Sequence, residues 1–561
     1  MRQKNIQYST ILFRISLILI ALISGVFGAK AQNMNKEVYV VSSFRPEIAD
    51  ADKMGYMPLI PDTFSMATTV DYSVLPSHLK SDFTLRPIKP AKMVGTPLDR
   101  LYNSQLKMGI GNYLTPLIEY NIQNLRSKEY TVGAYALHKS SHNKIDIDQV
   151  KDIPAGYGRN EVMGYGKRFY KNNTLWGEAG ASSHKIRYYG LNTEILADTF
   201  DVERRNIRQL FYNIYGKAGV HSARPDSGKL EYSLLVYGNY FWDYFKNKEP
   251  HVNVSGSLSH PVGSFMAGLE SSYDYVNFKN KVDTTEQSIV SFYPHIGKRK
   301  EEWQLNLGFH LDIVNSTQSD TVYLYPEASF KLQVIKNVLY GFVGLTGYLE
   351  QNTYQIITTE NPYIIPGLST RNTSHTYIIY SGVEGYLSSK ASYRLDLSLH
   401  NMENAIFFLN SDSTPLQNQF EIVTDNADLI KLHAEINWEP LSYLSFFLKS
   451  NYYKYKLYAE AHPWHRPEFE LFLTTRFNFK EKVYADLDFI TFGKRYAQDI
   501  NTGETVTLEP IYDLNLKLEY KFSNVLSFFL DFYNLTNSEY YLWNHYPVQR
   551  LNVIGGFTYK F

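Results

Sequence analysis

The chain has 561 residues, no cysteine, and 56 basic against 56 acidic residues, for a formal charge of zero. That balance gives no case for nucleic-acid binding. The missing cysteines exclude disulfides, thiolate chemistry and a lipid-anchored cysteine behind a leader.

Hydrophobic residues make up an ordinary 44%, yet 47 tyrosines and 33 phenylalanines exceed what a soluble globular chain uses. A transmembrane β-barrel accounts for both numbers. Its strands are apolar on one face only, so hydropathy stays low, and its two interfacial girdles consume aromatic rings.

In chain order, Arg2, Lys4 and Arg14 precede a largely apolar run from Ile15 to Phe27, and Ala29-Lys30-Ala31 supplies a small-x-small cleavage pattern. Residues 1–31 therefore read as a secretory signal peptide. The apolar run falls short of the ~20 residues of a membrane helix, and no later run approaches that length. Residues 32–104 hold seven prolines (Pro46, Pro58, Pro61, Pro76, Pro87, Pro90, Pro97), a density that interrupts helices and central strands alike. The segment reads as extended and irregular, lying in the periplasm or folded into a barrel lumen. Near its start, Glu37, Val38, Tyr39, Val40 and Val41 form a short apolar stretch suited to a first edge strand or to pairing with a partner.

From residue 105 to 561 the pattern changes to alternation. Tyr512, Leu514, Leu516, Leu518, Tyr520 and Phe522 interleave with Asp513, Asn515, Lys517, Glu519 and Lys521. Period two with one apolar and one charged face is a barrel strand whose charges face the lumen. Similar stripes run through Phe469 to Phe479, Val483 to Phe489 and Leu526 to Phe532. Short polar turns, such as those at Lys336-Asn337, Lys480-Glu481-Lys482, Ser523-Asn524 and Glu439-Pro440, alternate with mostly longer connectors, among them Ser141 to Arg159, Tyr189 to Arg205, Gln351 to Ser374, Asn410 to Asn426 and Thr536 to Val548. Outer-membrane barrels show this asymmetry, with short periplasmic turns and longer extracellular loops. The predicted fold is all-β, a large antiparallel transmembrane barrel of about 22 strands, an even number that returns both ends to the periplasm.

The last strand ends with Phe557, Tyr559 and Phe561 on its apolar register. A terminal aromatic in that position resembles the signal by which the barrel-assembly machinery recognises its substrates. Phe532-Tyr533-Asn534-Leu535-Thr536-Asn537, the aromatic Tyr540-Tyr541-Leu542-Trp543, the Tyr546-Pro547 pair and the final strand together resemble the C-terminus of TonB-dependent receptors of the Bacteroidetes type. Leu101 to Leu117 is similar, more weakly, to the first barrel strand of a plugless subgroup. The resemblance implies an outer-membrane location, lipid contact around the barrel, solute uptake, and pairing of Glu37 to Val41 with TonB or another envelope protein. The family's globular plug is longer than residues 32–104, so a full plug does not fit here. At 22 strands the lumen is normally occupied, so something else must fill it: the proline-rich segment, lumen side chains, another protein, or infolded loops, with Gln351 to Ser374 and Asn410 to Asn426 as the candidates.

Chemical signatures are sparse. The chain has no H-E-x-x-H, G-x-S-x-G or P-loop, so no catalytic site, cofactor or metal is predicted. His462 and His465 are spaced as two metal ligands would be, but solvated loop histidines are the plainer account. Asp486 and Asp488 share a strand face, as lumen charges do. Asp146 and Asp148 form an acidic pair in a loop. The aromatic runs Tyr237 to Phe245 and Tyr452 to Tyr458 suit membrane girdles. Two functions remain: a TonB-dependent receptor-like barrel for uptake or passage of a solute, and a non-transporting barrel serving as subunit or scaffold of an envelope complex.

Overall fold

The computed structural model describes residues 101–148, 150–192, 207–223, 228–414 and 416–561. The signal peptide, the proline-rich segment as far as residue 100, and Glu37 to Val41 lie outside the described residues.

Twenty-two strands form one continuous antiparallel sheet. It closes on itself because the first strand, Ser104–Gly111, pairs with the last, Asn552–Lys560, with Gln105 opposite Lys560 and Gly111 opposite Ile554. Closure leaves no sheet edge to satisfy, the condition for crossing a bilayer with strands. Among the described residues no helix is long and apolar enough to cross a membrane.

Alternation sorts the side chains. Val132, Val162, Leu175, Ile214, Leu324, Leu395, Leu432, Leu530 and Phe557 point outward and are exposed, as a lipid-facing band requires. Inward lie ion pairs: Arg476 with Asp486 at 3.0 Å, Lys517 with Asp488 at 3.3 Å, Lys217 with Glu178 at 2.9 Å. Phe557, Tyr559 and Phe561 all sit on the exposed outer face. The seam itself is tight, because a side chain on Gly556 would place its Cβ 2.0 Å from the Met108 carbonyl oxygen. Only glycine allows the two strands to approach there.

The connectors follow the expected alternation, with differences. The strands Lys248–Val262 and Phe265–Lys279 meet in a two-residue turn that periodicity alone misses. Gly263 takes the left-handed conformation there, φ +62°, which suits a tight hairpin. The turn predicted at Glu439-Pro440 falls later, since the strand Phe420–Leu441 runs through both residues with an irregularity between Trp438 and Leu441. One short helix, Tyr354–Glu360, stands in the connector Gln351 to Asn372.

The main packed core is not in the membrane band. Its buried members include Tyr188, Phe211, Phe241, Phe278, Tyr354, Ile364, Phe408, Phe420 and Tyr546. They come from the ends of strands and from the long connectors, all at one mouth of the barrel.

Candidate functional site

The long connectors build a cap over this mouth. Tyr188 and Asn192 follow the fifth strand, Asn173–Arg187, while Gln417 and Asn418 precede the sixteenth, Phe420–Leu441. Ten of the twenty-two strands lie between them on either side, so they stand diametrically opposite. Nevertheless Asn192 donates to the Gln417 side chain at 2.9 Å, and the Asn418 amide donates to the Tyr188 carbonyl. The chain therefore spans the bore and is joined at its middle.

Two further connectors lock onto that bridge. The Tyr546 hydroxyl donates to the Asn418 carbonyl, and the Tyr189 hydroxyl donates to the Pro547 carbonyl at 3.0 Å. The Tyr546 ring stacks on Tyr363 at 3.8 Å between centroids, and Trp543 packs against Phe408 at 5.2 Å and Phe420 at 5.5 Å. Each fully buried large apolar side chain contributes about 1.5–3 kcal/mol over its exposed state. Aromatic pairs at these distances add roughly 0.5–1.5 kcal/mol. Gly190 makes room for the central ring, since a Cβ there would lie 2.3 Å from Tyr546.

The helix anchors the cap to the wall at the seventh and eighth strands. Thr353 caps it, its hydroxyl accepting from the Ile356 amide at 3.2 Å, which satisfies one of the four free amides of a helix start. The buried carboxylate of Glu249, on the eighth strand, accepts from the Tyr354 and Gln355 amides at 2.7 and 3.0 Å. Asp243, also buried, accepts from the Tyr354 hydroxyl at 2.8 Å and from Gln209 at 3.1 Å.

His465 stands at the centre and is buried. Its Nδ1 donates to the Phe408 carbonyl at 2.9 Å, and its Nε2 accepts from the Asn544 amide at 3.3 Å. Both nitrogens are thus engaged with backbone, and burial pulls the imidazole down to about 3, so it is neutral. His462 instead stacks on Tyr496 at 4.2 Å. The two histidines are not brought together as ligands, and among the described residues no cluster of three or more His, Asp or Glu is arranged to hold a metal. Arg495 inserts from a neighbouring hairpin and donates to the Tyr541 and Leu542 carbonyls. Burial pulls its guanidinium down to about 10. Tyr363 is pushed up to about 12 by burial.

Other candidates fall into place around the cap. Asp486 pairs with Arg476, and Asp488 with Lys517 and the Thr474 hydroxyl: wall charges rather than a catalytic pair. Asp146 accepts from the Asp152 amide within a loop hairpin. The run Tyr237 to Phe245 is split, because Tyr240 and Trp242 face outward while Phe241 packs in the cap core. The girdle reading holds for the first two only. Tyr453 and Tyr455 likewise pack inward, against a second cluster around Phe407 and Trp464. Between cap and wall lies a cavity of about 300 Å³ edged by Tyr189, Tyr363, Asp513 and Tyr540.

No known protein-family model matches the sequence, and no curated protein is similar to it. The fold is informative where sequence is not. It is similar to the siderophore receptor PirA from Acinetobacter baumannii, at 10% identity and TM-score 0.64, over 83% of this chain and 81% of that one. It is similar to the FrpB iron transporter from Neisseria meningitidis, at 10% identity and TM-score 0.65, over 83% and 82%. A third likeness, to the ferric-catecholate import receptor Fiu from E. coli K12, has 10% identity and TM-score 0.61 over 82% of each chain. The chain has the fold of the TonB-dependent receptor barrels. In this barrel the described connectors themselves cross the mouth.

Proposed function

We propose that the protein is an outer-membrane barrel for gated passage of a solute, in the manner of a TonB-dependent receptor, with a mouth closed by its own loops. One observation carries the reading: connectors from opposite sides of a 22-strand barrel meet over the bore in a packed aromatic core. A bore of that strand number, left open, would breach the permeability barrier, and a closed one must open to pass anything. Siderophore and iron transport by the similar structures supports an uptake role. In this reading residues 1–31 are removed on export, residues 32–104 serve as the periplasmic or lumen-filling segment, and Glu37 to Val41 add as a strand to TonB or another envelope protein, a mode in which main-chain bonds supply the affinity.

The test is single-channel conductance in planar bilayers. The full-length protein is expected to be silent, and Tyr363→Ala with Tyr546→Ala to conduct. A large, steady conductance from the unaltered protein sinks the reading.

The same cap favours a second reading, a non-transporting barrel subunit of an envelope complex, because a core of this many buried rings is costly to separate. A gentle-detergent pull-down from the native membrane discriminates. Near-stoichiometric partners with no conductance in either form support the subunit. A lone barrel supports transport.

A further inference from the structure

Two histidines of the lumen wall each leave one ring nitrogen without a partner. The fourteenth strand, Thr373–Ser388, pairs with the fifteenth, Ala391–Asn410, so that Tyr377 faces Asn401 and His375 faces Met402. The register slips by one residue between these pairs, and Thr376 is the extra residue of a β-bulge. Strict alternation from the outward, exposed Tyr377 would turn His375 outward as well. The bulge sends it inward. Met402 packs in the inward cluster around Phe407 and Trp464, and His400, two residues earlier on the same strand, shares its face. His375, His400 and Met402 therefore meet on the lumen side.

Both rings are held from behind. The His375 Nε2 donates to the Glu350 carboxylate at 3.1 Å, and the ring stacks on Tyr348 at 4.4 Å. The His400 Nε2 bonds the Ser398 hydroxyl at 2.8 Å. The Nδ1 atoms of the two rings are buried and have no hydrogen-bond partner. A buried polar atom left unpaired costs stability unless something occupies it. An imidazole whose far nitrogen is engaged by a carboxylate, and whose near nitrogen is bare, is the usual form of a metal ligand.

Spacing and softness select the ion. Two metal–nitrogen bonds of about 2.0 Å plus the two ring radii span roughly 6 Å when nearly in line, and roughly 5 Å at a tetrahedral angle. The ring centroids are 6.1 Å apart, which fits the nearly linear case. Among the described residues no cluster of three or more His, Asp or Glu is arranged to hold a metal, so a third donor has to be of another kind. Met402 supplies a thioether. Two neutral imidazoles with a thioether suit copper(I). Lys431, opposite Ser398 in the register, adds positive charge nearby and tells against a dication.

We propose that His375, His400 and Met402 hold one copper(I) ion on the lumen wall, with Glu350 as the positioning residue behind His375. The inference does not rest on the gated-barrel reading, because binding is read without conductance.

The test titrates the full-length protein, in a maltoside detergent and without oxygen, with copper(I) held by bathocuproine disulfonate, whose colour reports the ion it loses. The expected result is one copper(I) withdrawn per chain, displaced by silver(I) and not by an equal amount of zinc(II). X-ray absorption of the loaded protein should show one sulfur neighbour, absent in M402L. E350Q should weaken binding by about 10–100-fold, and H375Q/H400Q should abolish it. If the double variant does not give the heat-modifiable band of a folded barrel, M402L, a volume-conserving change, and E350Q decide the matter.

Failure to withdraw copper(I) from the chelator overturns the proposal, as does displacement by zinc(II). Undiminished binding in the folded variants would place the ion elsewhere and also overturn it. Channel silence is unaffected by any of these results, so failure here is distinguishable from failure of the gated-barrel reading.

Discussion

At the scale of single residues, the cap depends on groups that must stay neutral and buried. His465 is held neutral by burial, down to about 3 from the usual 6.5. In the opened cap the ring is solvated and takes up its proton near 6.5, while in the closed cap it does not until far lower. The open state therefore binds more protons between these values, and closure weakens as pH falls through that window. The protection of the Tyr541–Pro547 hairpin against hydrogen exchange, after correction for the intrinsic pH dependence of exchange, should fall from about pH 6.5 downward in the unaltered protein. In H465Q, which has no titrating ring, the slope should be absent. An identical slope in both proteins would place the sensitivity elsewhere. Tyr546→Phe removes the hydroxyl that reaches the Asn418 carbonyl and leaves that acceptor buried and unpaired. The expected cost is about 1–3 kcal/mol of cap stability, read as faster exchange of the same hairpin with the barrel intact.

At the scale of elements, the closing seam and the anchoring hairpin make separate demands. Gly556→Ala would set a Cβ against the Met108 carbonyl, and backbone cannot yield as a flexible side chain can. This variant should lose the heat-modifiable band that a closed barrel gives on a gel. Gly228→Ala, where nothing lies within 4 Å of the added carbon, should keep it. Equal bands from both would mean that the seam tolerates a side chain. The hairpin Arg495–Gln498 with Thr505–Leu508 acts through one residue, because Arg495 donates to carbonyls of the Tyr541–Trp543 strand. Arg495→Met keeps the bulk and removes the donors, so limited proteolysis should cut between Asn534 and Gln549 faster while the strands remain protected.

For the whole molecule, the decisive quantity is whether the bore conducts. The fold places 22 strands around a lumen lined by ion pairs, and the cap joins the fifth strand to the sixteenth across it. Loosening the cap at Tyr363 and Tyr546 removes the central stack of two rings at 3.8 Å. Truncating a buried aromatic costs about 3–5 kcal/mol, enough to raise an open population of about one in a million to an observable one. Conductance that appears in the double alanine variant, with vancomycin sensitivity of cells carrying it, is the expected outcome. Silence of a correctly inserted variant would mean that the occlusion lies below the cap.

The barrel was legible in the sequence because its signal is local: side chains alternate at period two whatever the rest of the chain does, and stripes such as Tyr512 to Phe522 or the ending Phe557, Tyr559, Phe561 carry their orientation with them. Connector lengths were legible for the same reason, and they offered Gln351 to Ser374 and Asn410 to Asn426 as candidates for infolding, but they did not single out the connectors of Tyr188 to Asn192 and Trp543 to Pro547, which build the cap with them. The role of individual aromatic residues was not legible. Phe241 and Trp242 are adjacent and chemically alike, yet one packs in the cap and the other faces the membrane, because only the register of the sheet decides which side each occupies. His465 looked like a solvated loop histidine until Phe408 and Asn544, distant in sequence, closed around it. The chain alone thus determined the strands, their apolar faces and the closed barrel. Only the tertiary structure decided what seals it, since the sealing contacts join residues as far apart as Tyr189 and Pro547, and no local periodicity encodes which loops will meet above the bore.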